Sequence, residues 1–226
     1  MSPELGVRPR EPLPIVILVS GRGSNMQAIA ERAIAGTLPV RIGAVISDKS
    51  EAPGLSLAAA LGIKTCVLSP REYPNRESYD LALAELVASF APGLVVLAGF
   101  MRILTPNFID RFRGRILNIH PSLLPKYRGL HTHRRVLEAK DCEHGVSVHF
   151  VTLELDGGPV IMQSCIDVTA SDTEASLSAR VQRQEHSIYA QAIDWFARGR
   201  LVLRDGRAHL DGQPLSTPVL IDARGA

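Results

Sequence analysis

Short apolar runs rich in Val, Ile and Leu recur at Ile15 to Val19, Val40 to Ile46, Lys64 to Leu68 and Leu94 to Leu97, each bounded by turn or cap residues. They predict buried strands. Between them lie amphipathic stretches at Asn25 to Ala35, Gly54 to Leu61 and Arg76 to Phe90, long enough for crossover helices. Strand alternating with helix predicts an α/β fold, a Rossmann-like and mostly parallel sheet with helices on both faces. Ligands of such sheets bind where strand C-termini open into loops. Further on, Arg115 to His120 predicts another strand, and Gly145 to Leu155 followed by Pro159 to Val168 predicts a strand pair joined through Asp156-Gly157-Gly158, so the C-terminal portion is antiparallel. Ser171-Asp172-Thr173-Glu174 fits a capping box that opens a helix running to about Phe196. Its apolar stripe holds Leu177, Val181, Ile188, Ala192 and Trp195, and Glu185 falls on the same stripe, where an acid needs a partner or a job. After Gly199, alternating residues and the turns Asp205-Gly206 and Asp211-Gly212 predict a small terminal hairpin.

Composition narrows the class. With 226 residues and 46% hydrophobic, the chain is expected to be one globular domain, residues 14–226, behind a Pro-rich disordered tail, residues 1–13. The balance of 25 basic against 23 acidic residues argues against a protein that grips nucleic acid. Cys66, Cys142 and Cys165 have no CxxC spacing, which points to a reducing, cytoplasmic setting. No signal peptide or run of roughly 18 apolar residues suggests a membrane.

Three constellations can carry chemistry. Ser20-Gly21-Arg22-Gly23-Ser24-Asn25 joins the first strand to the first helix, where free amides and the helix dipole favour an anion. Met26 stands where a dinucleotide fingerprint has its third glycine, so a phosphate monoester fits better than a pyrophosphate. A plain tight turn explains the glycines equally well. Asn118 and His120 end a buried strand and, two residues apart, share one face, where an amide can stabilise an oxyanion and an imidazole can move a proton. Alternatively both simply cap the strand. Asp156 reads by default as a turn residue, and only a nearby histidine would raise a catalytic reading. His120, His131, His133, His144 and His149 raise the question of a metal, but no HExxH or zinc-type cysteine set accompanies them, and no metal is expected. Gly21-x-Gly23 with Asp48 after the second strand motivates a rival reading as a dinucleotide-binding dehydrogenase, and an inactive binding module on the same fold is a third.

From Pro14 to about Leu215 the chain resembles the phosphoribosylglycinamide formyltransferase (GAR transformylase) family of folate-dependent formyltransferases. The resemblance rests on residues 20–25, 97–104, 117–125, 129–134, 147–151 and 155–160. It implies the formyltransferase fold and transfer of a formyl group from 10-formyltetrahydrofolate, as cosubstrate, to the primary amine of glycinamide ribonucleotide in de novo purine (IMP) biosynthesis, with no metal. The catalytic trio carries over to Asn118, His120 and Asp156. The substrate phosphate carries over to Gly23, Ser24 and Asn25 with help from Gln182, and the ribose to Glu185. Folate carries over to Met101, Arg102, Ile103 and Leu104, with Arg76 near its carboxylates. Small-molecule partners only are implied, for a monomer or homodimer. Relatives acting on methionyl-tRNA or hydrolysing the folate carry an extra domain, for which 226 residues leave no room. Arg22 stands where a small or amide residue is expected, and Arg128 occupies a variable site.

Overall fold

The structure is a computed structural model that describes residues 11–224; the first ten residues of the expected tail lie outside them. Strand β1 (Leu13–Val19) begins at Leu13, one residue before the expected domain start, because Leu13 N–H already bonds Pro39 O at 3.0 Å. It is followed by α1 (Ser24–Ile34), β2 (Val40–Ser47), α2 (Pro53–Ala60), β3 (Thr65–Val67), α3 (Arg76–Ala88), β4 (Leu94–Leu97), α4 (Pro106–Arg111) and β5 (Ile116–His120). Then come α5 (Thr132–Ala139), β6 (Glu143–Phe150), β7 (Val160–Asp167), α6 (Glu174–Ala197), β8 (Leu201–Arg204), β9 (Arg207–Leu210), β10 (Gln213–Pro214) and β11 (Val219–Asp222).

The main sheet has the order β11-β7-β6-β5-β4-β1-β2-β3. From β3 to β5 every pairing is parallel, while β5–β6 and β6–β7 are antiparallel. The α/β class and the antiparallel C-terminal portion follow the expectation. The order reverses between β1 and β4, which places a crevice at the C-terminal ends of those strands. Period-2 alternation gives the sheet two apolar faces. Ile15, Ile17, Leu117 and Ile119 pack with Ile29 of α1 and with Leu177, Val181 and Ile188 of α6. Val16, Leu18, Val95 and Ile116 pack on the other side with Leu83 of α3 and Phe108 of α4. On β5 the residues in phase with Ile116 are Asn118 and His120, so the pair shares one face as expected, the one opposite α6.

Several elements differ from the expectation. Strand β6 stops at Phe150 and not at Leu155, because Gly158 brings the returning chain against Phe150 O, where a Cβ would stand 1.9 Å away, and residues 151–155 swing out as a loop. The box at the start of α6 is Thr173 with Ser176: Thr173 Oγ1 accepts from Ser176 N–H at 3.1 Å, and Ser176 Oγ accepts from Thr173 N–H at 2.9 Å. Asp172 is instead drawn back to Thr169 N–H and across to Arg180, so Ser171 is not the cap. The terminal hairpin is present as β8–β9, with β10 beside it, but β11 leaves it to pair parallel with β7 at the edge of the main sheet. No described helix is long and apolar enough to cross a membrane.

Candidate active site

The loop after β1 is held from below. Gly21 O accepts Gly54 N–H at 3.0 Å, and Gly23, at φ 79°, lies so close to α2 that a Cβ would meet Gly54 Cα at 2.6 Å. A left-handed glycine packed on backbone cannot accept a side chain, so Gly23→Val would disturb the fold and cannot isolate phosphate recognition. No side chain caps α1, which leaves its first-turn amides open to a ligand. Two side chains reach this turn from α6, one helical turn apart. Gln182 Nε2 donates to Ser24 Oγ at 2.7 Å, and Asn25 Nδ2 donates to Glu185 Oε2 at 2.7 Å. The acid on the apolar stripe thus has its partner. Burial raises the Glu185 carboxyl, and the Asn25 bond and the Arg22 charge pull it the other way. Ser20 to Asn25, Gln182 and Glu185 line a hollow of about 370 Å³.

A second hollow, of about 410 Å³, adjoins it through Gly99, Met101, Pro121 and His133, which line both. Asn118, His120 and Asp156 face this one together. His120 Nε2–H donates to Tyr127 O at 2.9 Å, which leaves Nδ1 toward Asp156 Oδ2, 3.4 Å away. Asp156 sits at φ 48° in its turn, yet its Oδ2 also accepts from Gly129 N–H at 2.9 Å, across the cleft. The carboxylate therefore reaches beyond its own turn, to an amide of the loop after β5 and to His120. His149 faces Asn118 in the β5–β6 register. Its Nδ1–H donates to Phe150 O at 2.9 Å, and its Nε2 accepts from Asn118 Nδ2 at 3.1 Å. Burial pushes this imidazole down to about 4, against the pull of the Phe150 bond and the Asp156 charge, so it is neutral and can accept. The sequence offered His149 only as one histidine among several; its role depends on cross-strand register.

Ser147 and Gln163 were also missed. Ser147 Oγ donates to Ser122 O at 2.6 Å and accepts from Leu124 N–H, while Gln163 Nε2 donates to Leu124 O at 2.9 Å. They pin the loop whose Tyr127 carbonyl orients His120. Polar residues inside a sheet next to a conspicuous Asn-x-His strand are the signal that could have found them.

Of the other expected residues, Met101, Arg102 and Ile103 line the larger hollow, and Leu104 faces a smaller pocket of about 90 Å³ next to it with Asn118, His149 and Asp156. Arg76 lines neither; it is exposed at the first turn of α3, three residues before Tyr79, whose ring lies 4.6 Å beneath the Arg102 guanidinium. Exposed Met101, Ile103, Leu130 and Leu155 gather at the mouth, and Arg102 Nε is buried without a hydrogen-bond partner. An apolar cleft with one buried, unpartnered donor in its wall fits a flat, partly polar ring system. Among the described residues no group of three or more His, Cys, Asp or Glu is placed to hold a metal. Asp48 is buried beside Tyr79 and lines neither hollow, which removes the acid that the dinucleotide reading needs.

Known proteins share this sequence and fold. The family described as formyl transferase matches residues 13–193. The chain is 54% identical over 201 residues, 89% of its own length and 95% of the relative's, to phosphoribosylglycinamide formyltransferase of Escherichia coli. It is 39% identical over 189 residues to the human trifunctional purine biosynthetic protein adenosine-3, of which those residues span 19%. The solved phosphoribosylglycinamide formyltransferase of Coxiella burnetii superposes with a TM-score of 0.89 at 46% identity, over 93% of this chain and all of that one. With the family matched across both hollows and the strands that build them, the chain belongs to the formyl transferase family, among its phosphoribosylglycinamide formyltransferases.

Proposed function

We propose that this chain moves the formyl group of 10-formyltetrahydrofolate to the primary amine of glycinamide ribonucleotide, in the cytoplasm, as a step of purine synthesis. The observation that carries the reading is the junction of two hollows, one at an uncapped helix N-terminus and one apolar, with Asn118, His120 and Asp156 on its wall. The phosphate sits on the amides of Gly23, Ser24 and Asn25 with Gln182 beside them, the ribose against Glu185, and the folate ring in the apolar hollow against Met101 to Leu104. Arg76, exposed at the start of α3, meets the folate carboxylates.

The reaction needs no protein nucleophile. As the amine nitrogen bonds to the formyl carbon, the carbonyl electron pair moves onto oxygen, and the Asn118 amide and the His120 ring stabilise that charge. Asp156, 3.4 Å from His120 Nδ1, passes the proton of the attacking amine, through an intervening solvent molecule, to the folate nitrogen that leaves as its bond to the formyl carbon breaks. Tyr127 O fixes the ring by holding Nε2–H.

Asp156→Asn tests the trio. Asparagine keeps the size and tolerates φ 48°, so a turn residue would accept it. The expected outcome is a loss of about 10²-fold or more in ribonucleotide formylation, followed by the release of tetrahydrofolate, with the wild-type melting curve retained. Wild-type turnover in the folded variant would remove Asp156 from the chemistry, and no transfer to the ribonucleotide by the unmodified chain would overturn the acceptor.

A further inference from the structure

The balance of charge in the phosphate hollow singles out Arg22. A phosphate monoester carries about −1.5 to −2 at neutral pH, and the end of a helix offers only about +0.5. The hollow also contains the carboxyl group of Glu185. Among the described residues that line it, His133 is the other basic group, and its imidazole, bonded to His144 at 2.9 Å, is pushed down by burial. Amides and a neutral imidazole thus leave an incoming dianion beside an acid with too little positive charge. Arg22 is the one permanent cation among these lining residues.

The geometry suits the task. Arg22 is exposed and makes no hydrogen bond or ion pair with another described residue, so its five donors are open, and its charge already acts on Glu185. It rises from backbone that Gly21 and Gly23 lock against Gly54, which limits the ordering that binding must impose. A separate observation marks the hollow as built for a ligand: Asn25, 8% exposed, has its Oδ1 buried without a partner while its Nδ2 is held by Glu185. That oxygen waits for a donor such as a ribose hydroxyl.

We propose that Arg22 is a specificity-determining residue that supplies the counter-charge to the acceptor's phosphate and makes this enzyme select phosphorylated over unphosphorylated acceptors. The proposal rests on the reading of the β1–α1 loop as the phosphate site. A guanidinium, with its planar fork, matches a phosphate through two donors at once, and the partly exposed position avoids the cost of burying the charge when no ligand is present.

The test is calorimetric titration of wild type, Arg22→Asn and Arg22→Lys with glycinamide ribonucleotide and with its unphosphorylated riboside, at low and high salt, and with inorganic phosphate as competitor. Arg22→Asn is expected to weaken ribonucleotide binding about tenfold, to weaken competition by phosphate in proportion, and to flatten the salt dependence. In turnover the loss falls on the ribonucleotide KM far more than on kcat, and Arg22→Lys recovers part of it. Wild-type affinity and salt dependence in Arg22→Asn would overturn the proposal while leaving the loop as the phosphate site. If the wild-type protein bound the riboside as tightly as the ribonucleotide and phosphate failed to compete, the loop reading itself would fall.

Discussion

Asn118 can serve a developing oxyanion only if its amide nitrogen faces the cleft, and a free amide is as stable turned the other way. The neutral ring of His149 decides between the two. Its Nδ1–H is committed to Phe150 O, so Nε2 can only accept, and only the NH2 end of Asn118 can satisfy it. One hydrogen of that NH2 is held while the other is aimed. His149 is therefore a positioning residue, and its loss differs from the loss of Asn118 itself. Asn118→Ala is expected to lower the single-turnover rate by about 10² to 10³, and His149→Leu by about 10 to 100, with folate KM changed little by either. His149→Gln, whose carbonyl can accept the same hydrogen, recovers part of the rate. If His149→Leu turned over like wild type, or raised KM alone, the amide would not depend on this ring.

Helix α6 ties the phosphate side of the site to the sheet. Leu177, Val181, Ile188 and Ala192 seat it on the sheet, and Glu185, in phase with them, and the neighbouring Gln182 touch α1 at Asn25 and Ser24. The helix was legible in the sequence because 24 residues repeat the apolar period, but its start was not. Ser171, Asp172 and Thr173 are all good caps, and the choice among them is made by Arg180, which draws Asp172 aside. Helix α4, of six residues, is too short for the period to show, and α5 opens on four polar residues, Thr132 to Arg135, so no apolar stripe marks it. Edge strand β11 depends on a partner, β7, more than 50 residues earlier in the chain. The trio was legible as residues, whereas the contacts that orient it, from Tyr127, Gly129 and His149, come from register and loop closure. Removing the cap tests its weight: Thr173→Ala is expected to cost about 1 kcal/mol in urea unfolding, with the ribonucleotide KM little altered, since Gln182 lies more than two turns inside the helix. A stability loss near zero would mean that the Asp172–Arg180 pair alone holds the start of α6.

At the scale of the whole molecule, the antiparallel portion is assembled around histidines that must stay uncharged. Burial pushes His149 down to about 4, and burial together with the nearby His133 and His120 pushes His144 down to about 3. In the unfolded chain both would titrate near 6.5. Between about pH 6.5 and 4 the unfolded state therefore binds more protons than the native state, and the sign of the linkage makes stability fall as pH falls. Each histidine contributes a slope of up to about 1.4 kcal/mol per pH unit in that window, and the stability is fully present above it. The limb begins at a higher pH than ordinary carboxylates titrate, and between pH 6.5 and 5 the burial-lowered His133 and His186 add to it in the same direction. Urea unfolding at half-unit steps of pH is expected to show this loss. His144→Gln, which keeps a polar group for His133 but cannot gain a proton, should flatten the limb by about the contribution of one histidine. A profile level from pH 7 to 5 in the wild-type protein would show that the buried rings accept protons where they stand, and that the sheet between β5 and β7 is open to solvent on that side.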